Sequence, residues 1–287
     1  MAQIIETARA KINLALHVTG RRGDGYHLIE SLVTFADLAD HLTFDPDSDW
    51  RFTQSGPFAA DLAEDDLVLR ARDTLHAAAS SRGYATPPVA IHLEKNIPVA
   101  AGLGGGSADA AACLRGLSRL WALPEQSLPM EGIALELGAD VPMCLISRPL
   151  VASGIGEDIT RLPTLPALAV VLVNPRVAIS TPEVFGKLQN RENSSMVVPR
   201  AIAADALAGE LRHLRNDLQA PAESIAPVIA EVIDAIAKTG AQLARMSGSG
   251  ATCFGLYTDT ETATKAAESL RAAHPTWYVN NCRTDAG

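Results

Sequence analysis

From residue 8 to residue 18, apolar Ile12, Leu14, Leu16 and Val18 alternate with Lys11, Asn13, Ala15 and His17. That period of two predicts a half-buried strand and sets Lys11 and Asn13 on one face. Residues 20–25 supply turn chemistry, with Asp24-Gly25 as the reversal. The mostly apolar stretch 31–44 then returns as a second strand. Good helix formers fill residues 67–79, and residues 89–93 read as a short strand. Residues 107–121 read as an alanine-packed helix with Ser107 as its cap.

Residues 168–173 are an apolar run of strand length. Ile225, Val228, Ile229, Val232, Ile233 and Ile236 follow helical spacing, closed by Gly240. The tail predicts strand 242–246, loop 247–251, strand 252–257, helix 260–273 and strand 277–281. Strands and helices mixed in this way give an α+β protein. The polar stretch 189–200, with Pro199, reads as a mobile connection. A Pro-punctuated restart at residues 162–166 suggests two domains, 1–160 and 161–287. No internal repeat or low-complexity segment is visible.

Composition narrows the class. The chain has 287 residues, 47% apolar and 20% charged, enough for a large core. Its net charge of −9 and the lack of a basic run longer than Arg21-Arg22 exclude a nucleic-acid partner. A nucleotide remains compatible, because a local site can be positive on an acidic protein. Cys113, Cys144, Cys253 and Cys282 are far apart with no CxxC pair, which points to reduced thiols rather than zinc or a disulfide framework. The N-terminus lacks a basic region followed by a long apolar run, so no signal peptide is expected. No apolar run reaches the ~18 residues of a membrane span. These features predict a soluble, cytoplasmic protein without a membrane partner.

The strongest chemical signal is Pro98-Val99-Ala100-Ala101-Gly102-Leu103-Gly104-Gly105-Gly106-Ser107-Ala108. Its glycines can take positive φ and approach a ligand closely. The helix that follows presents unpaired N–H groups and a positive dipole end, which together bind phosphate. The loop has no Gly-Lys-Ser/Thr of a P-loop and no dinucleotide fingerprint. A glycine run is also compatible with a flexible turn. Ser247-Gly-Ser-Gly-Ala251, between two strands, by itself reads as a structural hairpin.

Ala-Lys11-Ile-Asn, Gly-Leu-Gly-Gly-Gly-Ser-Ala108 and Met-Ser-Gly-Ser-Gly-Ala251 resemble, in order, the three motifs of the GHMP kinases. Arg22-Gly-Asp-Gly-Tyr-His27 and Gly138-Ala-Asp-Val-Pro142 resemble the branch that phosphorylates the 2-hydroxyl of 4-diphosphocytidyl-2-C-methyl-D-erythritol. The resemblance runs from Lys11 to Thr252. It implies two domains with the active cleft between them, residues 1–160 carrying the phosphate loop and 161–287 completing the acceptor site. It also implies ATP as donor, with Mg²⁺, and a cytidine diphosphate-linked acceptor in the non-mevalonate route to isoprenoids. Carried over by position, Lys11 and Asp140 match the catalytic pair, while Asn13, Tyr26 and His27 match the acceptor-holding residues. Phe185, in Thr181-Pro-Glu-Val-Phe, matches the second aromatic of a base sandwich. Asp66 departs from the asparagine that relatives often carry near the adenine.

The chemistry suits these residue types. Phosphoryl transfer needs positioning and charge neutralisation. Asp140 can take the alcohol proton, and Lys11 can offset charge on the phosphoryl oxygens. Asp140 before Val-Pro also fits a helix cap, and Lys11 on a polar strand face also fits a solvated charge. The sequence names no metal ligand, although the Ser107 hydroxyl at the loop's end is suitably placed. Other readings remain open here: a homoserine or mevalonate-type kinase, or a non-catalytic nucleotide sensor on the same fold.

Overall fold

The computed structural model describes residues 3–46, 49–62, 66–201 and 203–286. Two long strands, β1 (Ile4–Arg21) and β2 (His27–Pro46), open the chain, and β3 (Arg51–Ser55) follows. Next come α1 (Leu67–Ser80), β4 (Val89–Glu94), α2 (Gly105–Leu120), α3 (Met130–Leu137) and α4 (Val141–Ile146). After β5 (Leu150–Gly154), β6 (Asp158–Arg161) and β7 (Ala169–Asn174) lie α5 (Thr181–Gly186), α6 (Ala204–Leu211), α7 (Gln219–Ile225) and α8 (Val228–Lys238). The chain ends with β8 (Leu243–Met246), β9 (Cys253–Tyr257), α9 (Thr260–Ala273) and β10 (Tyr278–Arg283). The mixture is α+β, as expected.

Contacts group the chain into two compact units that interleave in sequence. Unit 1 is residues 1–10, 38–99 and 104–147; unit 2 is residues 11–37, 100–103 and 148–287.

In unit 1, the end of β2 pairs antiparallel with β4, which pairs parallel with β3. Helix α2 buries Ala108, Ala110, Ala111, Ala112 and Cys113 together, so its backbone lies close to its neighbours. Gly116 goes further, because any Cβ there would enter the Phe44 ring. Strand β1 begins four residues earlier than its alternation suggested, at Ile4 instead of 8. The inward position there is Glu6, buried because Arg115 (3.0 Å) and Arg119 (2.6 Å) pair with it, so the apolar signature is missing.

In unit 2, β10, β7, β9 and β8 form an antiparallel sheet in that order. Helix α8 packs on it through Ile229, Val232 and Ile236, and α9 through Ala263, Ala266, Ala267 and Leu270. The helical spacing from Ile225 is interrupted: α7 stops there and α8 starts after Pro227. Ala226 takes φ −131° and ψ 88°, as a residue before proline is forced off the helical region. Gly240, at φ +86°, closes α8 as expected. Residues 189–200, expected as a mobile connection, carry no helix or strand. Even so, Asn193 N–H donates to Val18 O (3.2 Å) and Met196 N–H to Glu30 (2.5 Å).

All four cysteines are buried free thiols, and burial pushes those of Cys113, Cys253 and Cys282 up. Among the described residues no helix is long and apolar enough to cross a membrane.

Candidate active site

In unit 2 the polar face of β1 is buried. Lys11 is 6% exposed, and its Nζ donates to Asn13 Oδ1 at 2.5 Å. Asn13 Nδ2 donates to Ser31 Oγ (2.7 Å), and Ser31 Oγ donates to Ala15 O (2.9 Å). This chain of donors fixes which end of the Asn13 amide faces the ammonium. Lys11 and Asn13, expected on one face from the strand period, are joined by a direct bond.

The second glycine loop is more than a hairpin turn. It joins β8 to β9, and its Ser247 Oγ accepts from the Asn13 backbone N–H at 3.0 Å. Gly248 sits at φ +57°, where a Cβ would stand 2.9 Å from Asn13 Oδ1 and 3.3 Å from Lys11 Nζ. Only glycine lets the backbone pass there. Residues 100–103 belong to the same unit: Leu103 O accepts from Lys11 N–H (2.9 Å), and Ala101 O accepts from Thr252 N–H (3.3 Å) and Thr252 Oγ1. A Cβ on Gly102 would strike the Gly250 carbonyl, so the two glycine segments pass at backbone distance.

His27 stacks on Phe185 with centroids 4.9 Å apart and planes 22° apart. Burial, then the charges of Arg21 and Arg191, hold the imidazole below its usual range. Its Nε2 is buried and has no hydrogen-bond partner among the described residues. Tyr26, at the end of the Arg22–Tyr26 turn, is 61% exposed, so the structure brings His27 rather than Tyr26 onto Phe185. Phe185 rides on α5, whose Thr181 Oγ1 lies 2.7 Å from Ser249 Oγ in the second glycine loop.

In unit 1 the phosphate-loop residues 104–108 enter α2. The cap is Gly104, at φ +66°, not Ser107, which lies inside the first turn. A left-handed cap position favours glycine. Below this turn is a second buried lysine. Lys95 Nζ donates to Asp40 (2.5 Å) and Asp109 (2.6 Å), and a Cβ on Gly105 would come within 3.1 Å of it. Asp40 also accepts from the N–H groups of Asn96 (2.5 Å) and Ile97 (2.8 Å). Burial pushes the Asp109 carboxyl up, and its Oδ1 has no hydrogen-bond partner among the described residues.

Asp140 stands at the head of α4, half-buried, and its side chain does not cap that helix. Asp66 does cap: Oδ1 accepts from Val68 N–H (2.8 Å) and Oδ2 from Gln54 (3.1 Å). An asparagine oxygen could make the first of these bonds, so the departure at 66 keeps the cap. Glu64 and Asp65, beside it, lie outside the described residues.

The sequence reading missed Ser31, the Lys95 cluster and Asn216, whose Nδ2 donates to two carbonyls of the second glycine loop. None carries a local motif. Asn216-Asp217 reads as an ordinary polar pair in sequence.

Comparison with known proteins gives the family. Residues 66–148 match the GHMP kinases N terminal domain, and residues 201–276 the GHMP kinases C terminal domain. A 4-diphosphocytidyl-2-C-methyl-D-erythritol kinase from Sinorhizobium medicae is 52% identical, covering 96% of this chain and 94% of its own. A crystal structure of 4-(cytidine 5'-diphospho)-2C-methyl-D-erythritol kinase superposes with TM-score 0.83 at 34% identity, covering 99% of this chain and 100% of that one. Homoserine kinase from Cytophaga hutchinsonii, at 18% identity and TM-score 0.70 over 100% of this chain and 95% of that one, shares the fold. The chain belongs to the GHMP kinases, in the 4-diphosphocytidyl-2-C-methyl-D-erythritol kinase family.

Proposed function

We propose that the chain transfers the γ-phosphoryl group of ATP to the 2-hydroxyl of 4-diphosphocytidyl-2-C-methyl-D-erythritol, a step toward isoprenoid precursors. One observation carries this reading. A single compact unit holds both the Lys11–Asn13 pair and the His27–Phe185 stack, a charge-handling pair and a flat aromatic surface. Homoserine and mevalonate offer no base for the second.

Asp140 takes the proton of the 2-hydroxyl as its oxygen attacks the γ-phosphorus, and ADP leaves. Lys11 offsets charge growing on the phosphoryl oxygens. Asn13 orients the acceptor, and the His27–Phe185 stack, with exposed Tyr26 next to it in sequence, receives the cytosine. Residues 98–108 hold the ATP phosphates through backbone N–H groups. Ser107, in the first turn of α2, would hold the Mg²⁺ that accompanies the nucleotide, and the ion would supply further charge neutralisation. Among the described residues no three acidic, His or Cys side chains gather to hold a metal.

The test is ADP release with MgATP and the cytidine substrate, beside homoserine and mevalonate. Turnover with the cytidine substrate alone is expected. Turnover only with another alcohol would discard the acceptor assignment, and ATP binding without any turnover would favour a sensor.

A further inference from the structure

Beside β1 lies a buried side chain that the chemistry above leaves idle. Asn216 is 8% exposed and is fixed in parallel register with Leu16: Leu16 N–H donates to Arg215 O and Asp217 N–H to Leu16 O, both at 2.9 Å. Its amide is committed at both ends. Oδ1 accepts from Leu218 N–H at 3.0 Å, and Nδ2 donates to Met246 O and Gly248 O at 2.8 Å each. This pattern also settles which end of the amide is nitrogen.

Those two carbonyls bracket the left-handed turn at Gly248. A trans peptide points C=O and N–H in opposite directions. Pinning the carbonyls of Met246 and Gly248 toward Asn216 therefore turns the N–H groups of Ser247 and Ser249 away from it. Ser247 N–H meets Thr252 O at 2.9 Å, which ties the other side of the turn. Held from both sides, Gly248 stands as the wall against which Asn13 Oδ1 and Lys11 Nζ are placed.

We infer that Asn216 is a positioning residue for phosphoryl transfer: by gripping both carbonyls it keeps Gly248 against the Lys11–Asn13 pair. Removing its donors leaves two buried carbonyls without those partners and a glycine-rich loop free to shift. A shift of about 1 Å in such a support lowers turnover by about 100-fold. The inference deepens the kinase reading and rests on it.

The test measures kcat and both KM values for full-length Asn216→Ala, Asn216→Asp, Gly248→Ala and the Asn216→Ala/Gly248→Ala double variant, with folded fraction read by circular dichroism. The expected result is a loss in kcat of about 10- to 100-fold per folded molecule, with KM for ATP within about twofold. Because both sites act through one loop, the double variant should lose little more than the worse single. Unchanged kcat in both Asn216 variants would overturn the inference. So would losses that track only the unfolded fraction, losses that multiply in the double variant, or failure of both Asn216 variants to fold. The wild type separates this from the parent reading. If it turns over only another alcohol, the acceptor is wrong and the same comparison runs on that alcohol. If it turns over none, the kinase reading fails first.

Discussion

Two buried lysines, one in each unit, look alike by depth and differ in what meets them. Lys95, 1% exposed, is bracketed by the carboxylates of Asp40 and Asp109 in unit 1. Lys11, 6% exposed, donates to the amide oxygen of Asn13 in unit 2. A buried ammonium needs partners in either case. Carboxylates tie the Lys95 charge to the fold. Lys11 Nζ is oriented by the Asn13 amide, and a Cβ on Gly248 would stand 3.3 Å from it. Its two carboxylates give Lys95 an architectural role, while the chemical role proposed for Lys11 rests on its bond to Asn13 and the close approach of Gly248.

The largest effect expected in unit 1 therefore comes not from Lys95 but from Asp140, whose side chain does not cap α4. Asp140→Ala should lower kcat by about 10²- to 10⁴-fold while nucleotide titration shows ATP binding retained. Near wild-type kcat would break the base assignment. Lys95→Met should cost about 3–5 kcal/mol of stability in chemical denaturation, because it strands two buried carboxylates. Undiminished stability would break the architectural role.

Phe185→Ala sharpens the unit 2 side. KM for the cytidine substrate should rise about 10- to 100-fold, from ~1–3 kcal/mol of stacking, with KM for ATP unchanged. If both rise together, the aromatic site is not an acceptor site.

The smallest effect concerns His17, on the same strand as Lys11. Its Nε2 accepts from Arg215 N–H and its Nδ1 faces Ser194 O, both at 3.3 Å. Burial first, then Arg215, holds it below its usual 6.5. The folded state then binds fewer protons than the unfolded one. This contribution is complete above the unfolded value and is lost as pH falls toward the lower folded one. Tm should decline on mild acidification, and His17→Gln should flatten the decline. An unchanged slope would assign the decline to other groups.

Much of the fold was legible because its signals are local. Helix α9 spans the expected 260–273, and β8, β9 and β10 fall within a residue or two of their expected bounds. Signals that depend on partners far along the chain were not. The alternation in β1 gave the face of Lys11 but not its depth, because Ser31 and Gly248 lie on other segments. Glu6 hid the start of β1 because Arg115 and Arg119 come from α2. Ser107 looked like a cap because sequence does not show that Gly104 takes positive φ. The interleaving of the units also has no local sign, since β1 and β2, at 18 and 20 residues, run through both.

The most direct test of the contrast is one ADP-release assay on Lys11→Met and Lys95→Met, with MgATP and 4-diphosphocytidyl-2-C-methyl-D-erythritol, at equal concentrations of folded protein. The account predicts a loss of about 10²- to 10³-fold for Lys11→Met and near wild-type turnover for Lys95→Met. Equal losses in the two variants, or a Lys11→Met variant with wild-type turnover, would contradict it.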